Sequence, residues 1–201
     1  MWSSLARVIV TRRLSGVQSS AINWNPTDDT VIMSFPDENT VAQINRQTGA
    51  LVATYGDRTG SYAFSPATWS FEFQHFPNIT PAGTLLVSSH LPAFPEGSTA
   101  GANHHAFTEF TIDRAGQRLV EKWTYTGAYW PLSRGMAVRL DNGNTLVNYG
   151  AGGVIQEITA DKRVVFQVKF DLPSGNDFFN KLVGNNVLID DLYALNGGGP
   201  R

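Results

Sequence analysis

SSAINWNPTDDTVIMSF (Ser19–Phe35) is a short polar strand, a turn on Asn, Pro and Asp, and a run of β-formers. The phrase returns as QHFPNITPAGTLLVSS (Gln74–Ser89), SRGMAVRLDNGNTLVNYG (Ser133–Gly150) and DFFNKLVGNNVLIDDL (Asp177–Leu192). A phrase recurring at this spacing marks a repeat architecture. With Thr30, Thr84 and Thr145 as anchors the steps are 54 and 61 residues, and 41 more reach Asn186. A four-stranded propeller blade takes roughly 40–50 residues, so the two long steps carry insertions. FSPATWSFEF follows Ala63, and LPAFPEGSTAGANH follows His90.

A second phrase follows the first each time: VAQINRQTGALVATYG (Val41–Gly56), FTEFTIDRAGQRLVEKWTYTG (Phe107–Gly127) and VIQEITADKRVVFQVKF (Val154–Phe170). Each reads as two strands around a tight turn, where Gly and Asp supply the backbone angles a hairpin needs. Val120, Lys122 and Thr124 alternate with Glu121, Trp123 and Tyr125, which predicts one apolar and one polar face. Two hairpins per unit make a four-stranded antiparallel sheet, one blade of a propeller. The expected fold is therefore all-β: a β-propeller of about four blade units, partial or open, over residues 19–201. A plain β-sandwich is the alternative. Residues 1–18, which carry Arg7, Arg12 and Arg13 and no acid, fit no blade and read as a tail or an Arg-rich targeting segment.

Composition narrows the function. A net charge of −2 and no basic stripe disfavour nucleic-acid binding. No apolar run reaches the roughly 20 residues of a membrane helix. The absence of cysteine removes disulfides, thiolate nucleophiles and cysteine-bound zinc. No metal or cofactor is expected, and Asp28-Asp29 and Asp190-Asp191 read as turn chemistry.

The four histidines are His75, His90, His104 and His105, all in the second unit and its insertion. Imidazole is the usual acid, base and nucleophile near neutral pH. His75 opens a first strand, aligned with Ser20 and Arg134, and so points at the channel or its rim. His104-His105 reads as a solvated loop pair and His90 as a strand end. Ser88-Ser89-His90 lacks the strand–turn–helix setting of a nucleophile elbow. Arg134 suits a sulfate or phosphate, because its planar fork makes paired charge-assisted bonds. Trp69 and Trp130 lie in connections and offer platforms for a flat ring.

The order of phrases resembles the arylsulfotransferase (aryl-sulfate sulfotransferase) family over about residues 21–170. The matching stretches are NPTDDTVIMSF, VAQINRQTGALVATYG, the Gln-His of FQHFPNITPAGTLLVSS, FTEFTID, and LDNGNTLVNYG followed by VIQEIT. The resemblance implies a six-bladed propeller and sulfuryl transfer from a phenolic sulfate to a phenol through a histidine, without a nucleotide donor. It also implies a periplasmic or secreted location. His75 stands at the family's Gln-His position. The family's earlier channel histidine falls on Gln18–Ser20, its arginine falls within the Arg-free stretch Thr84–Phe110, and no histidine follows His105 to match the later sulfated one. The candidate site is then His75, His105 and Arg134 as catalytic groups, with His90, His104, Trp69 and Trp130 as substrate contacts. The expected partners are an aryl sulfate and a phenol, with homo-oligomerisation left open; the alternative is a non-catalytic β-propeller binding module or an inactive fragment of such an enzyme.

Overall fold

Asp, Asn and Gly close every hairpin of the first unit. Asp28 Oδ1 accepts from the side chain of Asn25 at 2.7 Å and from the Thr30 amide at 3.2 Å, folding the turn between β1 (Ala21–Asn25) and β2 (Thr30–Phe35). Asn45 Oδ1 does the same for the amides of Gln47 and Thr48, between β3 (Thr40–Asn45) and β4 (Leu51–Gly56). Such Asx turns fix the chain reversal locally, before any packing. The four strands pair in sequence order as an antiparallel meander, the first blade.

The computed structural model describes residues 19–67, 70–91, 104–129 and 134–170. The second blade is β6 (His75–Ile79), β7 (Leu85–Leu91), β8 (His104–Asp113) and β9 (Arg118–Gly127), again in order. The insertion after the first blade adds β5 (Ala63–Ser65), which pairs parallel to β9 at the outer edge. The third blade is β10 (Met136–Arg139), β11 (Thr145–Asn148), β12 (Val154–Ile158) and β13 (Val164–Lys169). The fourth phrase lies outside the described residues. No helix among the described residues is long and apolar enough to cross a membrane.

Radial order shows in how the sheets meet. The first strands lie together, β1 against β6 and β6 against β10. Asn23, opposite Ile32 on the ladder, donates its side-chain amide to the Pro77 carbonyl at 2.8 Å. Asn78, opposite Leu86, donates in the same way to the Ala137 carbonyl at 2.8 Å. One ladder position thus ties each blade to the next. Ile32, Val41 and Tyr55 of the first blade bury against Leu85, Val87 and Phe110 of the second. Leu86 and Phe107 on its other face bury against Val147, Tyr149 and Ile158 of the third. Each fully buried side chain of this size stabilises by about 1.5–3 kcal/mol. A sandwich joins two sheets by one inner face each. Here the middle sheet is covered on both faces, so the fold is that of a partial β-propeller.

Two sequence expectations need correction. β9 is not apolar on one face only: Trp123 and Tyr125 pack toward the third blade, while Thr124 on the other face is buried against Thr108. A middle blade has no solvent face, so alternation there separates two interfaces. The third anchor also moves by one residue. Leu140 and Asn144 close the β10–β11 turn by a backbone bond at 2.9 Å, as Thr80 and Thr84 close theirs, so Asn144 rather than Thr145 matches Thr84.

Candidate functional site

Three of the four histidines meet. His90 and His105 are direct cross-strand partners on β7 and β8, and His75 pairs with Ser88 on the neighbouring ladder. Side chains alternate along a strand, so Ser88 and His90 share a face with His105 and Phe107. That face looks at the third blade. The rings form a row from the first strand outward: His75 to His90 at 5.1 Å between centroids, His90 to His105 at 4.9 Å, and His105 to Phe107 at 4.4 Å. Tyr149 of the third blade meets both His105 and Phe107 edge-on.

Burial deepens along the row. His75 is half-buried, His90 is buried, and His105 and Ser88 are 0 % exposed. Ser88 Oγ and His105 Nε2 lie 2.5 Å apart in a closed hydrogen bond. His90 Nε2 lies 2.8 Å from the Arg134 carbonyl. A carbonyl only accepts, so that nitrogen carries the proton.

The backbone that presents the row is unusual. Phe73 (φ 44°), Phe76 (φ 46°) and Arg134 (φ 66°) are all in the left-handed region, which is uncommon for a bulky residue. Phe76 sits in a β-bulge between His75 and Asn78, and a bulge re-aims the side chain beside it. The strain is held by Gln74, fully buried, whose side-chain amide donates to the Thr40 carbonyl at 2.8 Å and whose own carbonyl accepts from Ser34 Oγ at 2.8 Å. Strain concentrated around one cluster is a pointer to function. In the Gln-His pair, then, Gln74 is the anchor and His75 the presented group.

Burial, first, then the charges of His90 and Arg134, pushes His75 down to about 4. Burial lowers His90 too, against the pull of the Arg134 carbonyl. His75 is therefore neutral at physiological pH. Its folded value lies below the 6.5 of a free imidazole, so the folded state resists protonation. The stability is complete above about pH 6.5 and is lost as pH falls from there toward 4. The loss is on the order of 2–3 kcal/mol after allowance for partial exposure. Denaturant titrations at pH 7 and pH 4.5 should show it, and His75→Gln should flatten that part of the profile.

His104 and His105 are not a loop pair: both lie in β8, paired with Leu91 and His90. The side chain of His104, and Trp69 and Trp130, lie outside the described residues. Arg134 does not align with His75. It lies two residues before Met136, which pairs with Asn148, and it reaches the row through its carbonyl and its charge. Among the described residues no three ligand-type side chains are arranged to hold a metal ion. Gly135 and Tyr149 escaped the sequence reading, and Ser88 entered it only as part of a rejected nucleophile elbow. The signal for Ser88 was present: it is two residues from His90, hence on the same face.

No family model matches the chain, and no curated protein matches it. Solved structures similar to it include a provisionally named 6-phosphogluconolactonase from Bacteroides fragilis (17% identity, TM-score 0.47, 78% of this chain and 40% of that one). Another is a catalytically inactive virginiamycin B lyase from Staphylococcus aureus with quinupristin (11%, TM-score 0.41, 81% and 59%). A third is the β-propeller domain of Cps50 (Swd1) from Myceliophteria thermophila (9%, TM-score 0.45, 82% and 45%). The chain spans 40–59% of the length of these three. Likeness this remote carries no inference about chemistry.

Proposed function

We propose that the protein transfers a sulfuryl group from an aryl sulfate to a phenol, with His75 as the imidazole that meets the sulfur. The observation that carries this reading is a half-buried imidazole, in a row with His90 and beside the charge of Arg134, on a strained strand start. The resemblance of the Gln-His phrase to arylsulfotransferases supplies the substrate class.

In the first half-reaction a ring nitrogen of His75 attacks sulfur and the sulfur–aryl oxygen bond breaks, releasing phenolate. In the second, an acceptor phenol oxygen attacks sulfur, loses its proton to solvent, and the nitrogen–sulfur bond breaks. Ping-pong kinetics follow. An imidazole with a value near 4 is a weak proton acceptor at pH 7 but carries a free lone pair, which favours the nucleophilic role over general acid–base work. Arg134 offers paired donors to the sulfuryl oxygens.

The test is turnover of an aryl-sulfate donor with a phenol acceptor. Wild type should transfer and His75→Ala should fall to background. The donor alone should leave a sulfuryl adduct on the peptide carrying His75. Equal background rates for the two proteins reject the assignment. Closure of His105 and Ser88 from solvent favours a second reading, a non-catalytic module that binds a small ligand. It predicts saturable binding without turnover that survives His75→Ala.

A further inference from the structure

Each blade repeats one polar pair. Gln43 Nε2 donates to Thr30 Oγ1 at 3.0 Å, Thr84 Oγ1 to Glu109 Oε1 at 2.6 Å, and Asn144 Nδ2 to Glu157 Oε1 at 2.6 Å. On the ladders Gln43, Glu109 and Glu157 lie opposite Ile32, Leu86 and Leu146. All three therefore occupy the face turned toward the following blade.

What the following blade offers there matches the charge. Neutral Gln43 is followed by Ile79, which packs on the core between the first two blades. Acidic Glu109 is followed by Arg139, at the same place on β10 and ion-paired with it. Glu157 is the third of the set. It shares the outward face of the third blade with Leu146, Ile155, Phe166 (50 % exposed) and Val168 (36 %).

The chain carries the matching segment. RLDNGNTLV at 139–147 reads again as KLVGNNVLI at 181–189, with Lys181 in the place of Arg139 and Asn186 in the place of Asn144. The connector agrees as well. β9 ends at Gly127 and β10 begins at 136, while β13 ends at Lys169 and the same step of nine reaches Phe178. Lys181 is three residues past Phe178, as Arg139 is three past Met136.

We propose that residues 178–192 dock on the outward face of the third blade as the opening hairpin of a fourth, with Lys181 ion-paired to Glu157. The occupant is this chain's own segment because length, register and charge all match it. Carbodiimide, which joins a paired carboxylate and ammonium into an amide, tests this on the full chain in an equal mixture of 14N- and 15N-labelled protein. The expected product is a peptide joining Glu157 to Lys181 within one isotopic species, lost in Lys181→Gln. The Glu109–Lys122 pair, 2.8 Å apart, is the internal control. A Glu157–Lys181 product that mixes isotopes would assign the face to a second copy and overturn the proposal. So would the control product without the expected one. Charge reversal gives an independent reading. Glu157→Lys should speed amide exchange in Val164–Lys169 about two- to fivefold, the scale of a part-exposed ion pair, and Lys181→Glu added to it should restore protection. Failure of the double variant to restore protection also overturns the proposal.

Discussion

Gly135→Ala is expected to destabilise the protein by about 3–5 kcal/mol and to lower its melting temperature by roughly 10 °C. Two costs add. Gly135 has φ +138°, a conformation that L side chains rarely adopt, worth on the order of 1–3 kcal/mol. A Cβ there would also sit deep inside contact distance of His105 Cε1 and Nε2 and of Ser88 Oγ. Those atoms cannot yield, since Ser88 and His105 are fully buried and bonded to each other. Overpacking of a closed core adds about 1–3 kcal/mol. Gly143→Ala is the control: its φ is +84°, but nothing lies within 4 Å of its Cβ. It should lose only the backbone part, about 1–2 kcal/mol. Thermal unfolding of both variants separates the costs, and equal losses would show that Gly135 does not close the histidine row. Because the same glycine precedes β10 and carries Arg134 beside it, the variant should also disturb the bond from His90 to the Arg134 carbonyl.

The hairpins were legible because their causes are local. Asp28, Asn45 and Asp113 turn the chain by bonding amides two or three residues away, and the strands between them are β-formers. Blade order followed from the repeat. The histidine row was only half legible, for physical reasons. His105 looked like loop because the Gly- and Ser-rich insertion runs up to it, yet the ladder with β7 extends to Leu91 and draws His104 and His105 into the strand. The bulge at Phe76 shifts His75 by one position, which no pattern of apolar residues reports. Contacts between blades, such as Gly135 on His105, depend on sheets meeting across 30 to 59 residues of chain. The anchor at Thr145 missed by one because a threonine directly follows Asn144, the residue that closes the three-residue turn as Thr84 closes its own. Function is legible only as far as chemistry is visible in single residues. His75 stood out by its scarcity and place, whereas Ser88 resembles any strand serine.

Glu109→Ala should cost about 3–5 kcal/mol, the range found when one partner of a buried ionic group is removed. The carboxylate is 4 % exposed and bonds Thr84 within its own blade, Lys122 at 2.8 Å on β9, and Arg139 across the interface with the third blade. Removing it leaves the Arg139 guanidinium, 17 % exposed, without its counter-charge against the Trp123 ring, whose centroid lies 5.1 Å away. Glu109→Gln keeps size and the Thr84 contact but not the charge, and should lose less. The sign of the pH effect follows from the same geometry. Burial alone would raise the acid, but the bonds from Lys122 and Thr84 and the charge of Arg139 outweigh it and hold Glu109 below the usual carboxylate value. Its contribution is present above the unfolded carboxylate value, near 4.3, and is lost as pH falls through the lower folded value. His75 loses stability at higher pH, between about 6.5 and 4, so the wild-type profile should fall in two steps. Glu109→Gln should shrink the acidic step, which the lowered Asp29, Asp113, Glu157 and Asp161 share, and leave the histidine step; His75→Gln should shrink the histidine step, which the lowered His90 shares, and leave the acidic one. A single step that responds to both variants would mean that the histidine row and the blade-to-blade ion pair titrate as one unit, contrary to their separation on the ladder, where His105 pairs with His90 and Glu109 with Leu86, four residues away on each strand.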